Sequence, residues 1–130
     1  MGNDDRPGLA SLTAVEAAAR IASGELLSRD LVGACIDRIA EREPSIQAWA
    51  FLDRERVLEQ AKAADAQLKE SKGIGPLQGV PVGLKDIIDT ADMPTEHGSE
   101  VFTGRQPAED AACVTALRRA GAVILGKTVT

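Results

Sequence analysis

Apolar residues recur along the chain in two different rhythms. In the first half they follow helical spacing. Thr13 with Glu16 forms a capping-box pattern, and Gly24 follows the helix that this box starts. Ser28 opens a second helix with Leu31, Cys35, Ile36 and Ile39 on one face, and Pro44 is read as its stop. The stretch from Ile46 to Leu52 is short and β-prone. Asp53 then starts a third helix carrying Val57, Ala61, Ala64 and Leu68 on one stripe, which fades into Ser71-Lys72-Gly73.

In the second half the apolar residues gather in short runs separated by turns. A turn leads into a strand region from Val80 to Ile88, where Pro81 is tolerable only near the strand start or on an unpaired edge. The segment from Asp89 to Gln106 carries Pro94, Gly98 and Gly104 without periodicity and reads as a loop. Pro107-Ala108-Glu109-Asp110 opens a helix that is acidic at its start, basic at Arg118-Arg119 and closed by Gly121. Ala122 to Leu125 reads as a short buried strand, and this helix–glycine–strand order is how α/β units are laid down. The expected fold class is α/β: amino-terminal helices followed by the start of a mixed sheet flanked by helices. Residues 1–10 are expected to be flexible, 11–72 mainly helical, and 73–130 an α/β segment.

Chemistry concentrates where the first strand region ends on Lys85, followed at once by Asp86. The run Val80, Val82, Leu84 before it and Ile87, Ile88 after it predicts a buried strand tip. Desolvation there would make the neutral amine, a usable general base, accessible near neutral pH. Asp86 either orients Lys85 or caps a turn, and both readings stay open. Gly121-Ala-Val-Ile-Leu-Gly126-Lys127-Thr128 matches the phosphate-loop pattern letter for letter, yet the order of elements is wrong. A helix precedes Gly121, and the four intervening residues are themselves the strand. Gly73-Ile74-Gly75-Pro76-Leu77-Gln78-Gly79 follows a helix and precedes a strand, opposite to a dinucleotide fingerprint, and reads as a turn. The single histidine, His97, is expected on an exposed loop; Cys35 and Cys113 are expected as buried free thiols. One His and two remote Cys offer no metal-ligand spacing.

Gly75-Pro76-Leu77-Gln78-Gly79-Val80-Pro81-Val82-Gly83-Leu84-Lys85-Asp86 resembles the first landmark of the amidase signature family of serine hydrolases. The resemblance continues through Asp89-Thr90-Ala91, Met93-Pro94-Thr95, Gly98-Ser99, Asp110-Ala111, Leu117 to Ala122 and Gly126-Lys127-Thr128. It implies a Ser–cis-Ser–Lys triad on an α/β fold that cleaves carboxamides through an acyl-enzyme, without a cofactor. Lys85 matches the catalytic lysine, and Asp86, Gly98 and Ser99 are supporting residues. The family's two serines lie in a Gly/Ser-rich region farther on, so these residues are expected to be the amino-terminal part of a single amidase domain, inactive alone. Two branches are implied: a stand-alone hydrolase of small amides, and the glutaminase subunit of a tRNA-dependent amidotransferase. The latter usually carries Asn where Ile87 stands, which leans toward the hydrolase. A non-catalytic fragment or binding module is the reading from another class.

Composition narrows this little further. The 130 residues are 44% hydrophobic and 27% charged, an ordinary globular balance. With Trp49, Phe51 and Phe102 the only aromatic residues, the core must be built from Ala, Val, Leu and Ile. A formal charge of −5 without clustered Lys and Arg argues against direct nucleic-acid binding. No apolar run is long enough to cross a bilayer, and Met1 to Arg6 lacks the apolar core of a signal peptide, so a cytoplasmic protein is expected. The expected partner is a small-molecule amide, and the amphipathic amino-terminal helices leave a homo-oligomer open.

Overall fold

The computed structural model describes residues 8–130. Of the expected flexible segment 1–10, residues 1–7 lie outside that range, whereas Leu9–Ser11 forms a 3-10 turn. Leu9 and Leu12 pack against Ala17, Ile21, Leu26 and Leu31, tying this turn to the first helices. Helix α1 (Ala14–Ala22) carries the expected capping box: the Glu16 N–H donates to Thr13 Oγ1 at 3.1 Å, and the Thr13 N–H to Glu16 Oε2 at 2.8 Å. Helix α2 (Ser28–Ile46) starts where expected. Its first amides are satisfied from a distance, Ser28 and Arg29 both donating to the Asp65 carboxylate at 2.6 and 3.0 Å. Pro44 does not stop α2; the helix runs on to Ile46 and ends at Gln47 in the left-handed region.

Strand β1 (Trp49–Leu52) leads into α3 (Arg54–Lys69), whose N-cap Asp53 accepts from the Arg56 N–H. Strand β2 (Pro81–Lys85) begins at the proline, the position where a missing donor is harmless. Helix α4 (Ala112–Arg119) starts later than the acidic Pro107–Asp110 run, because Asp110 turns away to accept from the Ala91 N–H at 2.8 Å. Gly121, at φ +88°, closes the turn after α4, and β3 (Val123–Thr128) follows. The phosphate-loop pattern is therefore helix end plus strand.

The sheet order is β1-β3-β2, with β1 antiparallel and β2 parallel to the central β3, a mixed sheet flanked by helices. One face packs on α2 and α3 through Val123, Leu125, Val32, Ile36, Val57 and Ala61. The other carries Leu84, Ile124, Met93 and Val114 under the loop and α4. Among the described residues no helix is long and apolar enough to cross a membrane.

Both ladders are bulged. Val82 pairs with Ile124 but Gly83 with Gly126, so Leu125 is an extra residue on β3. On β1, Ala50 is the extra residue between Trp49 and Phe51. The bulge resets the alternation of β3, putting Ile124 and Lys127 on the same face although they are three residues apart. Gly126 makes the close approach feasible: a Cβ there would lie 2.1 Å from the Phe51 carbonyl oxygen.

Gly126→Ala should therefore destabilise the chain by roughly 3 kcal/mol, since the obstacle is backbone. Gly33→Ala, inside α2 with nothing within 4 Å of the added methyl, should stabilise it by about 0.5–1 kcal/mol. Urea unfolding of both variants checks the pair, and a neutral Gly126→Ala would contradict the β1–β3 approach.

Candidate active site

Strand β2 delivers Lys85 to the end of the sheet, and the loop that follows wraps round that end. The expected burial of Lys85 is overturned: its side chain is exposed, whereas Leu84 is buried. The reason is the period of a strand. Val80, Val82 and Leu84 share one parity, and Lys85 has the other, so the apolar run buries the face that Lys85 leaves. Ile87 is likewise exposed.

Asp86 is buried, and its hydrogen bonds run both to β3 and to the loop. Its N–H donates to Thr128 O at 2.9 Å, its carbonyl accepts from the His97 N–H at 2.9 Å, and its carboxylate accepts from the Glu96 N–H at 3.2 Å. Asp86 is thus stitched to β3 on one side and to the loop on the other, which fixes the backbone immediately after Lys85. His97 is half-buried, not exposed as expected; its ring packs on Phe102 with centroids 5.1 Å apart, and its φ is +56°. Gly98, also left-handed at φ +67°, passes over Thr130: an added Cβ would lie 3.1 Å from Thr130 Cβ. Ser99 caps the 3-10 turn Glu100–Phe102, its Oγ accepting from the Val101 N–H at 3.3 Å. The structure thus brings Lys85, Asp86 and the loop before Gly98 together, and gives Ser99 a local capping role.

The loop is tied down at several further points. Arg105 makes a bidentate pair with Asp89 at 2.7 and 3.0 Å. Gln106 donates to the carbonyls of Thr90 and Met93, both at 3.1 Å. Asp92 bridges Arg56 of α3 and Arg118 of α4, and Arg118 also holds Asp110 at 2.9 Å. The hydrogen bond from Arg105 holds the Asp89 carboxyl below the usual carboxylate range.

The lysine that is buried is Lys127, fully removed from solvent in β3. Its Nζ donates to Pro94 O at 3.1 Å and to the hydroxyl of Thr95, itself fully buried. Burial pushes its pKa down, while the charges of Asp86, Asp89 and Asp92 oppose that shift. Sequence reasoning passed over Lys127 when it set aside the phosphate-loop pattern. The available signal was a cation two residues past a strand expected to be buried, which the structure extends to Thr128. Cys113 is exposed and Cys35 only partly buried, so the expectation of two buried thiols fails; what burial Cys35 has pushes its thiol pKa up. A groove of about 760 Å³ between α1, α2 and α3, lined by Leu27, Arg29, Lys62 and Ile74 among others, contains none of these site residues.

Known proteins resemble this chain in sequence and fold. The Amidase family model matches residues 30–130. A glutamyl-tRNA(Gln) amidotransferase subunit of Acidothermus cellulolyticus is 45% identical over 116 residues, covering 89% of this chain and 23% of that protein. Its counterpart in Thermobifida fusca is 45% identical over 120 residues, covering 92% of this chain and 24% of that protein. Among solved structures, native peptide amidase from Stenotrophomonas maltophilia superposes with TM-score 0.84 at 38% identity, over 92% of this chain and 25% of that one. A fatty acid amide hydrolase superposes with TM-score 0.86 at 30% identity, over 92% of this chain and 21% of that one. The chain spans about a quarter of the length of the relatives it matches.

The Asp89–Arg105 pair carries a pH signature. A carboxyl whose folded pKa is depressed contributes stability above the unfolded value, near 3.9 for aspartate, and loses it as pH falls through the folded value. Thermal melts should show stability declining below about pH 4, with a shallower decline in Asp89→Asn; identical slopes would show that the pair contributes nothing. The half-exposed pair keeps the effect small.

Proposed function

The chain belongs to the amidase family, and from that membership we propose that it contributes the lysine base to the hydrolysis of a carboxamide carbon–nitrogen bond. The observation that carries the reading is the placement of Lys85. It sits at the carboxyl end of a parallel strand, its side chain exposed on the side opposite Leu84, its backbone fixed by Asp86 on both sides. Ligand chemistry in α/β sheets gathers at such strand ends.

In this mechanism Lys85, as the neutral amine, accepts a proton from a bridging serine. That serine deprotonates a second one, whose oxygen attacks the amide carbonyl. Backbone N–H groups stabilise the resulting oxyanion, and the proton held by Lys85 passes back through the bridging serine to the nitrogen, which leaves as neutral amine or ammonia. Water, deprotonated by the same relay, attacks the acyl ester, and the relay returns that proton to the serine as the acid is released. The two serines come from sequence outside these 130 residues. The exposure of Lys85 supports this, because a second part of the domain laid over that face would supply both the serines and the desolvation a lysine base needs. The 130 residues by themselves are then inactive, a module completed by the rest of the domain.

A second reading has its own support. The amidotransferase names carried by relatives at 45% identity point to glutamine as the amide and to partner subunits with charged tRNA, against the lean that Ile87 gave toward a stand-alone hydrolase. The chemistry at Lys85 is the same in both.

In the complete protein, Lys85→Ala should abolish amide hydrolysis with the fold intact by circular dichroism. Lys85→Arg should not rescue it, since a guanidinium keeps the charge and loses the base; retained turnover in Lys85→Ala would remove Lys85 from the mechanism. Ammonia release from glutamine and from a short aliphatic amide, with and without glutamyl-tRNA and partner subunits, separates the branches. Release from the aliphatic amide alone favours the hydrolase, and dependence on tRNA and partners favours the amidotransferase.

A further inference from the structure

The motif that resembled a phosphate loop leaves a fully buried ammonium with no assigned purpose. A buried lysine is expensive, and an apolar side chain of similar size would fill the same space at lower free-energy cost. What Lys127 does can be followed bond by bond. The bulge at Leu125 turns it to the loop side of the sheet, where Leu84 of β2 and Phe51 of β1 are its lateral neighbours. There its Nζ donates to Pro94 O and Thr95 Oγ1. The Thr95 hydroxyl donates onward to Ile88 O at 3.4 Å, and the Thr95 N–H to Arg105 O at 2.9 Å. The next two residues, Glu96 and His97, give their N–H groups to the carboxylate and the carbonyl of Asp86. The Asp86 N–H closes the ring on Thr128, the residue after Lys127.

We propose that Lys127 and Thr95 are positioning residues for Lys85: the buried ammonium clamps the loop at Pro94 and Thr95, and the clamped loop fixes Asp86 and with it the strand end that presents Lys85. The proposal rests on the reading of Lys85 as the base. Lys127 touches no substrate in this scheme; it acts through Thr95 and Asp86. Burial lowers the pKa of Lys127, and the carboxylates of Asp86, Asp89 and Asp92 oppose that shift.

Because removing Lys127 risks unfolding the core, the test works on its acceptor. Thr95→Val keeps the shape and deletes the hydroxyl; Thr95→Ser keeps the hydroxyl. Amide hydrogen exchange in the intact protein should show Glu96 and His97 protected in the wild type. In Thr95→Val their exchange should rise by about tenfold or more, as loss of a hydrogen bond to a charged group implies, and in Thr95→Ser it should return to the wild-type rate. The amides of Val57 and Ala61 in α3 should hold throughout. In the same proteins, kcat for ammonia release from the hydrolysed amide should fall by a similar factor in Thr95→Val, with KM within about twofold, and recover in Thr95→Ser. Unprotected Glu96 and His97 amides in the wild type, or unchanged exchange in Thr95→Val, would overturn the clamp. A kcat unmoved by Thr95→Val, or not restored by Thr95→Ser, would overturn the positioning role. If instead Lys85→Ala stays active, the reading of the base fails while the exchange result still reports on the clamp.

Discussion

The central strand β3 holds both halves of the sheet together. Among the described residues it alone pairs on both sides, and it does so with Gly126 pressed against the Phe51 carbonyl and a bulge at Leu125. That bulge decides which face Lys127 occupies. On the helix side the ammonium would enter the apolar layer of Val32, Ile36, Val57 and Ala61. On the loop side it meets a carbonyl and a hydroxyl, and the loop takes its shape from satisfying that charge. Asp86 and the end of β2 are fixed in turn by that loop.

The consequence for function is a division of labour between two lysines in neighbouring strands. Lys85 ends β2 with its backbone held and its side chain exposed on the side opposite Leu84, the placement on which the proposed base rests. Lys127 lies buried on the face of Leu84, its Nζ donating to Pro94 O and Thr95 Oγ1. Family membership and the superposition on amidases over some nine-tenths of the chain show the fold; in the function proposed above, that fold presents one catalytic group and relies on additional sequence for the others.

Much of this was legible in the residues. The capping box at Thr13 and Glu16, the cap at Asp53, the closing Gly121 and the α/β order all follow from local chemistry, and the structure keeps them. Pro44 misled because a proline near the end of a helix constrains the residue before it more than those after it, and α2 had only two residues left to run. The Pro107–Asp110 run read as a helix start because its acids suit the dipole, but Asp110 is taken by Ala91 and Arg118 across the fold. The burial of Lys85 was misjudged by counting apolar neighbours without their parity. Lys127 was hidden by a bulge: strict alternation from Val123 and Leu125 would have turned it toward α2 and α3, and no local pattern announces an extra residue in a strand.

The most direct test of the central claim is a crystal structure of the complete protein with a substrate-like amide or phosphonate inhibitor bonded to its nucleophile. Lys85 Nζ should lie within about 3 Å of a serine hydroxyl contributed from outside these 130 residues, on the side of β2 opposite Leu84. A Lys85 left in solvent with no serine in reach, or a nucleophile assembled on the other face of the sheet, would contradict it.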